Sequence, residues 1–107
     1  MRKRLMPFRR GRFVDLVERQ IALFERERAG LIGDAEAALH AYTTAKRDEA
    51  ETRYGDYLDL VDTGQDELVE IREGYATTLD PETADEYRDV FNRIVRKRLP
   101  RFGLELD

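Results

Sequence analysis

The chain of 107 residues contains no cysteine and only one histidine, and serine does not occur anywhere in it. Without cysteine the protein has neither disulfides nor thiolate metal sites, which is typical of a reducing compartment. Without serine or cysteine, neither a Ser-His nor a Cys-His catalytic pair can be built around His40. We therefore expect a non-enzymatic protein with no cofactor and no small-molecule substrate.

A carboxylate metal centre is also poorly supported. Helical bundles that bind paired metal ions use buried Glu residues and Glu-x-x-His motifs, and this sequence has no Glu-x-x-His. Glu36 and His40 are four residues apart and are spaced to share one ion, but the other acids fall on outer helix faces. The sequence thus predicts no metal site.

Long apolar runs are missing as well. No stretch of about 18 apolar residues occurs, so no membrane span is predicted. The first ten residues are charged but lack the apolar segment of a secretion signal. We expect a cytoplasmic protein with one domain at residues 12–99, a flexible basic arm at 1–11 and a tail at 100–107 that docks in extended form or stays loose.

Charge is distributed unevenly, although the net charge is only −4. Residues 1–12 carry six bases and no acid, residues 13–92 carry 21 acids and eight bases, and residues 93–107 carry five bases and two acids. The basic ends suit phosphate contacts, which makes them candidate anion-binding segments. Their members are Arg2, Lys3, Arg4, Arg9, Arg10, Arg12, Arg93, Arg96, Lys97 and Arg98. The alternative is that they compensate the acidic middle.

The pattern that is present throughout is helical. From Asp48 to Leu79, apolar or small residues recur every three or four positions, and the opposite side is an acidic ribbon of Asp59, Asp62, Asp66, Glu70 and Glu73. Asp48 with Glu51 resembles a capping box at the start of this helix. A bend is predicted at 44–48.

Two further helices flank this one. The first begins near Val14 with a heptad-like seam typical of coiled coils. Gly30 and Gly33 lie inside this seam and leave a kink or break there as the alternative, but the apolar stripe keeps its phase across both glycines, so one continuous or kinked helix is favoured. The third covers about 81–98, since Asp80 and Pro81 are an N-cap followed by proline at the first helical position. The sequence therefore predicts an all-α fold, a long antiparallel hairpin plus a shorter third helix.

The third helix is too short to cover the whole hairpin. At 1.5 Å per residue it spans roughly 27 Å, against roughly 45 to 50 Å for the long helices. The uncovered half predicts an interface, and the simplest closed solution is a homodimer in which two hairpin tips form a helical bundle. Its candidate residues are Arg28, Leu31, Ile32, Leu39, Tyr42, Tyr54, Leu58 and Val61. An unidentified protein partner is the other occupant for this strip.

Four short motifs carry a resemblance to a known family. They are Tyr54-Gly-Asp-Tyr, Tyr75-Ala-Thr-Thr-Leu-Asp80, Glu86-Tyr-Arg and Lys97-Arg-Leu-Pro-Arg-Phe102. Their order resembles a family of small uncharacterised helical proteins of bacteria, over residues 12–102. The resemblance implies the three-helix fold and transfers no activity or site.

Together these features predict a helical interaction or structural module that acts through self-association or protein contacts. The alternative function is non-specific association with nucleic acid through the basic arm and the basic end of the third helix. No helix presents adjacent base-reading polar residues, so sequence-specific binding is not expected.

Overall fold

The structure, a computed structural model, describes residues 11–104. Within that range the protein is helical and has no strand, so the all-α prediction is confirmed there. The elements are α1 (Val14–Glu27), α2 (Ala29–Thr43), α3 (Ala50–Ala76), α4 (Pro81–Arg98) and a 3₁₀ turn (Pro100–Phe102). The described part is elongated and measures 64 × 27 × 26 Å.

The predicted first helix is divided at Arg28, whose backbone leaves the helical region with φ −114° and ψ 31°. Arg28 still makes helix-type backbone hydrogen bonds on both sides of the break. Its N–H donates to the Phe24 carbonyl (2.8 Å), and its carbonyl accepts from the Ile32 N–H (3.0 Å). Gly30 lies inside α2, as Gly33 does. The first helix is therefore interrupted at Arg28, ahead of Gly30 and Gly33, where a kink or break had been left open as the alternative to one continuous or kinked helix.

The start of α3 differs from the prediction. The helix begins at Ala50 rather than Asp48, and Glu49 at the N-cap makes no side-chain capping bond. The predicted capping box of Asp48 and Glu51 is therefore wrong, because both residues fall one position from where the motif needs them. The connection between α2 and α3 covers 44–49.

The start of α4 follows its sequence signal. The Asp80 carboxylate accepts a hydrogen bond from the Thr83 N–H (3.2 Å), and Pro81 is the first helical residue. The Thr83 bond holds the pKa of Asp80 below its usual value. The observed range of α4 matches the predicted 81–98.

The core lies where α1, α3 and α4 meet. Tyr87 is fully buried at its centre, with ring centroids 4.8 Å from Tyr75, 5.5 Å from Phe13 and 5.9 Å from Phe91. The Tyr87 hydroxyl donates to Gln20 Oε1 (2.8 Å), so the polar end of the ring is paired. Burial raises the pKa of Tyr87 to about 12, and the phenol stays neutral.

The segment after α4 completes this core. Phe102 is 1% exposed, and Leu99 and Leu104 are buried beside it. A Cβ on Gly64 would collide with the Phe102 ring, so only glycine admits the ring against α3. Gln65 Nε2 also donates to the Gly103 carbonyl (2.8 Å). Residues 100–104 are therefore docked on α3.

Candidate interaction surface

The molecule is thinnest around the α2–α3 connection. Arg101, after α4, reaches Glu36 on α2 (3.3 Å), and Phe102 covers Gly64 on α3. Past those contacts, toward residues 44–49, α2 packs chiefly on α3. A layer of two helices buries only the sides that face each other, so part of each apolar stripe stays accessible.

Four of the predicted interface residues lie in this thin part, and we call them the tip surface: Leu39, Tyr42, Tyr54 and Leu58. Tyr54 is 43% exposed and Leu58 38% exposed, while the other two are half-buried. The Tyr42 and Tyr54 rings lie 4.9 Å apart across the two helices. Tyr54 also contacts Tyr57, with 6.3 Å between the ring centroids. The result is an apolar, aromatic patch whose rings already support one another.

The other four predicted interface residues lie elsewhere. Leu31 and Val61 are 7% exposed and belong to the core, and Ile32 is half-buried. Arg28 forms a paired contact with Glu67, with Nε to Oε1 at 2.7 Å and Nη2 to Oε2 at 3.0 Å. The segment around Phe102 packs on α3 beyond the end of α4. The comparison of helix lengths in the sequence had counted only the third helix as covering the two long helices.

The basic end of α4 is partly neutralised. Arg98 Nη2 lies 2.5 Å from Glu25 Oε1, and Arg96 donates to the Leu104 carbonyl (3.3 Å). Arg93 and Lys97 are exposed along one groove with Val14 and Glu18.

At the start of α1, Arg12 pairs with Glu86 (3.6 Å). The remaining candidate anion-binding residues, Arg2, Lys3, Arg4, Arg9 and Arg10, lie outside the described residues. Two of the five described members thus face a carboxylate, which favours charge compensation over an open phosphate site.

A second ionic group lies between α3 and α4. Glu73 accepts from Arg88, with Nε to Oε2 at 3.0 Å and Nη2 to Oε1 at 2.9 Å, and from Arg72 Nε at 2.8 Å. Arg72 also donates to the buried Asn92 (Nη1 to Oδ1, 2.8 Å). The hydrogen bonds from Arg88 lower the pKa of Glu73 to about 2. This group fixes how α4 sits on α3.

A groove between α1 and α3 was not anticipated from the sequence. Its volume is about 550 Å³, and its apolar side chains are Leu23, Phe24 and Ile71. The remaining lining residues are Gln20, Glu27, Arg28, Glu67 and Glu70. Leu23 is 43% exposed, which matches the exposure of Tyr54. The only sequence signal for this groove is Leu23 itself, an apolar residue outside the predicted seam.

Among residues 11–104 no three His, Asp or Glu side chains are grouped so as to hold a metal ion. None of the helices described there is long and apolar enough to cross a bilayer. No family model, curated protein or solved structure matches this chain.

Proposed function

We propose that the protein is a non-enzymatic helical module that forms a homodimer through its tip surface. In this proposal α1 and α2 run antiparallel to α3 as one kinked hairpin. The pairing of Arg28 with Glu67 and of Tyr42 with Tyr54 supports that direction, because residue numbers rise on one helix as they fall on the other.

One observation carries the proposal. The exposed large apolar side chains within residues 11–104 are Leu23, Tyr54 and Leu58, and two of these lie on the tip surface. Burying exposed apolar surface contributes roughly 25 cal/mol of favourable free energy per Å². Packing a further layer of helices on the apolar end formed by α2 and α3 would therefore be favourable. A second copy turned by a two-fold axis supplies two helices and closes a four-helix bundle.

The test is the solution mass, measured by light scattering over a range of concentrations. We expect twice the chain mass of 12.6 kDa for the unchanged protein and the monomer mass for Tyr54→Glu with Leu58→Glu. Both side chains are already exposed in the single chain, so the double variant should keep its fold, which circular dichroism checks. The control is Leu23→Glu, which puts one glutamate at a residue as exposed as Tyr54 but away from the tip, and it should remain a dimer.

A monomeric unchanged protein at every concentration would reject the homodimer. The tip surface would then be the candidate contact for a different protein. A dimer that persists in the tip variant but dissociates with Leu23→Glu would move the interface to the α1–α3 groove.

Nucleic-acid association is the second function proposed from the basic ends. Exposed Arg93 and Lys97 favour it, whereas the Arg98–Glu25 and Arg12–Glu86 pairs weaken it. It predicts binding to mixed-sequence duplex DNA that falls steeply with salt and is reduced by Arg93→Gln with Lys97→Gln. Binding that is absent, or that does not respond to salt, would reject it.

A further inference from the structure

The α1–α3 groove lies on the side of these two helices opposite α4. On α1, Glu25 pairs with Arg98 of α4, whereas the groove residue Leu23 lies two positions earlier, about 200° around the helix. On α3, Arg72 donates a hydrogen bond to α4, and the groove residue Glu70 again lies two positions earlier. Helices α1 and α3 each pack more closely on α4 than on each other. A helix in the groove would therefore meet α1 and α3 as α4 does on the opposite side.

The floor of the groove is apolar and accessible. Leu23 is 43% exposed, Ile71 is half-buried on α3, and the buried Phe24 also lines the groove. On α1 the lining residues extend from Gln20 to Glu27, which is roughly 10 Å or two helical turns. A helix bound over that length makes contact through apolar side chains at positions i, i+3 or i+4, and i+7. The floor thus fits the apolar face of one amphipathic helix.

The rim of the groove is acidic on both of its helices. Its three carboxylates are Glu27 on α1 and Glu67 and Glu70 on α3, and its one base is Arg28. Arg28 is paired with Glu67, whereas neither Glu27 nor Glu70 pairs with a base among residues 11–104. One exposed negative charge therefore flanks the floor from each helix. These charges are complementary to positive charges on both edges of an apolar face.

We propose that the α1–α3 groove binds a positively charged amphipathic helix of another protein. The apolar face of that helix packs on Leu23 and Ile71, and its lysine or arginine side chains pair with Glu27 and Glu70. The contact is separate from the tip surface and does not depend on the homodimer. It gives the molecule a second binding face, whose partner is selected by charge as well as by apolar burial.

Binding of a designed peptide to the full chain tests the proposal. The probe is a fluorescein-labelled peptide of about 14 residues that contains only leucine and lysine, with its leucines on one helical face. The control peptide has the same composition in an order that forms no apolar face. In fluorescence anisotropy titrations we expect saturable binding of the amphipathic peptide alone, with an affinity that falls as salt rises. No saturable binding up to about 100 μM would overturn the proposal.

Variants of the protein separate the rim from the floor. Glu27→Gln with Glu70→Gln should weaken binding about tenfold, because both complementary charges are removed. Leu23→Ala should weaken it about threefold through lost apolar contact. The matched control, Asp59→Asn with Asp62→Asn, removes two charges from exposed positions of α3 outside the groove and should change the affinity by less than about twofold. Circular dichroism checks that each variant is folded.

Reversal of the rim charges provides a gain of binding as well as a loss. Glu27→Lys with Glu70→Lys should no longer bind the leucine–lysine peptide and should instead bind a leucine–glutamate peptide of the same pattern. A variant that still prefers the leucine–lysine peptide would overturn the proposal.

Other binding sites give different results. An equal loss of affinity in the Asp59 and Asp62 control would overturn the proposal, because the peptide would then be attracted by acidic surface in general. Loss of binding in Tyr54→Glu with Leu58→Glu, but not in Leu23→Ala, would overturn it and place the peptide on the tip surface. A protein mass that halves when peptide is added, measured by light scattering, would also overturn it and would show that a second copy had filled the groove.

Discussion

The two ends of the molecule use α3 in different ways. At the end formed by α1, α3 and α4, the helix is covered by Tyr87 and its aromatic neighbours and by Phe102. At the other end the same helix carries Tyr54 and Leu58, which stay 43% and 38% exposed. One apolar stripe therefore serves as core along part of its length and as accessible surface along the rest.

The two ends of α3 differ in which elements pack on its apolar stripe, whereas the spacing of the stripe itself is the same at both ends. The spacing of Tyr54, Leu58 and Val61 continues without a change of phase into Gly64 and Leu68. Cover is supplied by distant parts of the chain, namely α4 and Phe102. An apolar residue on this helix is consequently stabilising or available for contact according to its distance from those elements.

The largest effect is expected at the covered end. Phe91 is fully buried next to Tyr87, so Phe91→Ala leaves a cavity and should reduce the free energy of unfolding by about 3–5 kcal/mol. Urea unfolding followed by circular dichroism measures this. A loss below about 1 kcal/mol would show that this end is not the packed part of the molecule.

Gly64→Ala should cause the next largest loss in the free energy of unfolding. The added methyl group displaces the Phe102 ring from α3, and we expect a loss of about 1–3 kcal/mol despite the better helix propensity of alanine. Gly74→Ala is the control in the same helix, because a Cβ there meets nothing within 4 Å. The control should gain up to about 1 kcal/mol. Equal behaviour of the two variants would mean that Phe102 does not dock on Gly64.

The pH dependence probes how α4 is attached. Glu73 has a pKa of about 2 in the folded protein against 4.5 ordinarily, so its contribution to stability is complete above about pH 4.5 and is lost as pH falls toward 2. The carboxylate side chain is 36% exposed, and solvent screening limits the effect to about 1 kcal/mol or less. Comparing acid unfolding with Glu73→Gln isolates this share, since the variant should have a shallower slope. If stability falls with pH equally steeply in the unchanged protein and in Glu73→Gln, Glu73 does not help to hold α4 on α3.

The smallest effect is expected at the tip. Tyr54→Ala should change the free energy of unfolding of the monomer by less than about 1 kcal/mol, because the side chain is largely accessible and keeps only its ring contacts. The measurement is urea unfolding at a concentration below the association range. A loss comparable to that of Phe91→Ala would end the distinction between the two regions.

Periodicity predicted the helical content, and capping signals predicted the start of α4 but not that of α3. The third helix came from Asp80 and Pro81, local signals that depend only on neighbouring residues, and its range agrees with the structure. The break at Arg28 was not predictable in this way, since Arg28 meets Glu67, which is 39 residues away. Gly30 and Gly33, where a kink or break had been left open, both lie inside α2.

The exposure of the candidate interface residues was predicted only in part. Tyr54 and Leu58 follow from the mismatch between helix lengths, which is a property of sequence alone. Leu31 and Val61 are buried in the core, and the docking of Phe102 against Gly64 is a tertiary contact that no local pattern specifies. The α1–α3 groove depends on how far the two helices diverge, and helix angles are set by packing.

The long-range partners of α1 have a consequence for synthesis. The side chains of Gln20 and Glu25 meet Tyr87 and Arg98, which lie 67 and 73 residues later in the chain. The contacts of α2 with α3 join residues much closer in sequence. As the polypeptide leaves the ribosome, α2 and α3 can therefore pair early, whereas α1 is made first and must wait for α4 to emerge. In pulsed hydrogen exchange during refolding, amides of α2 and α3 should gain protection before those of α1.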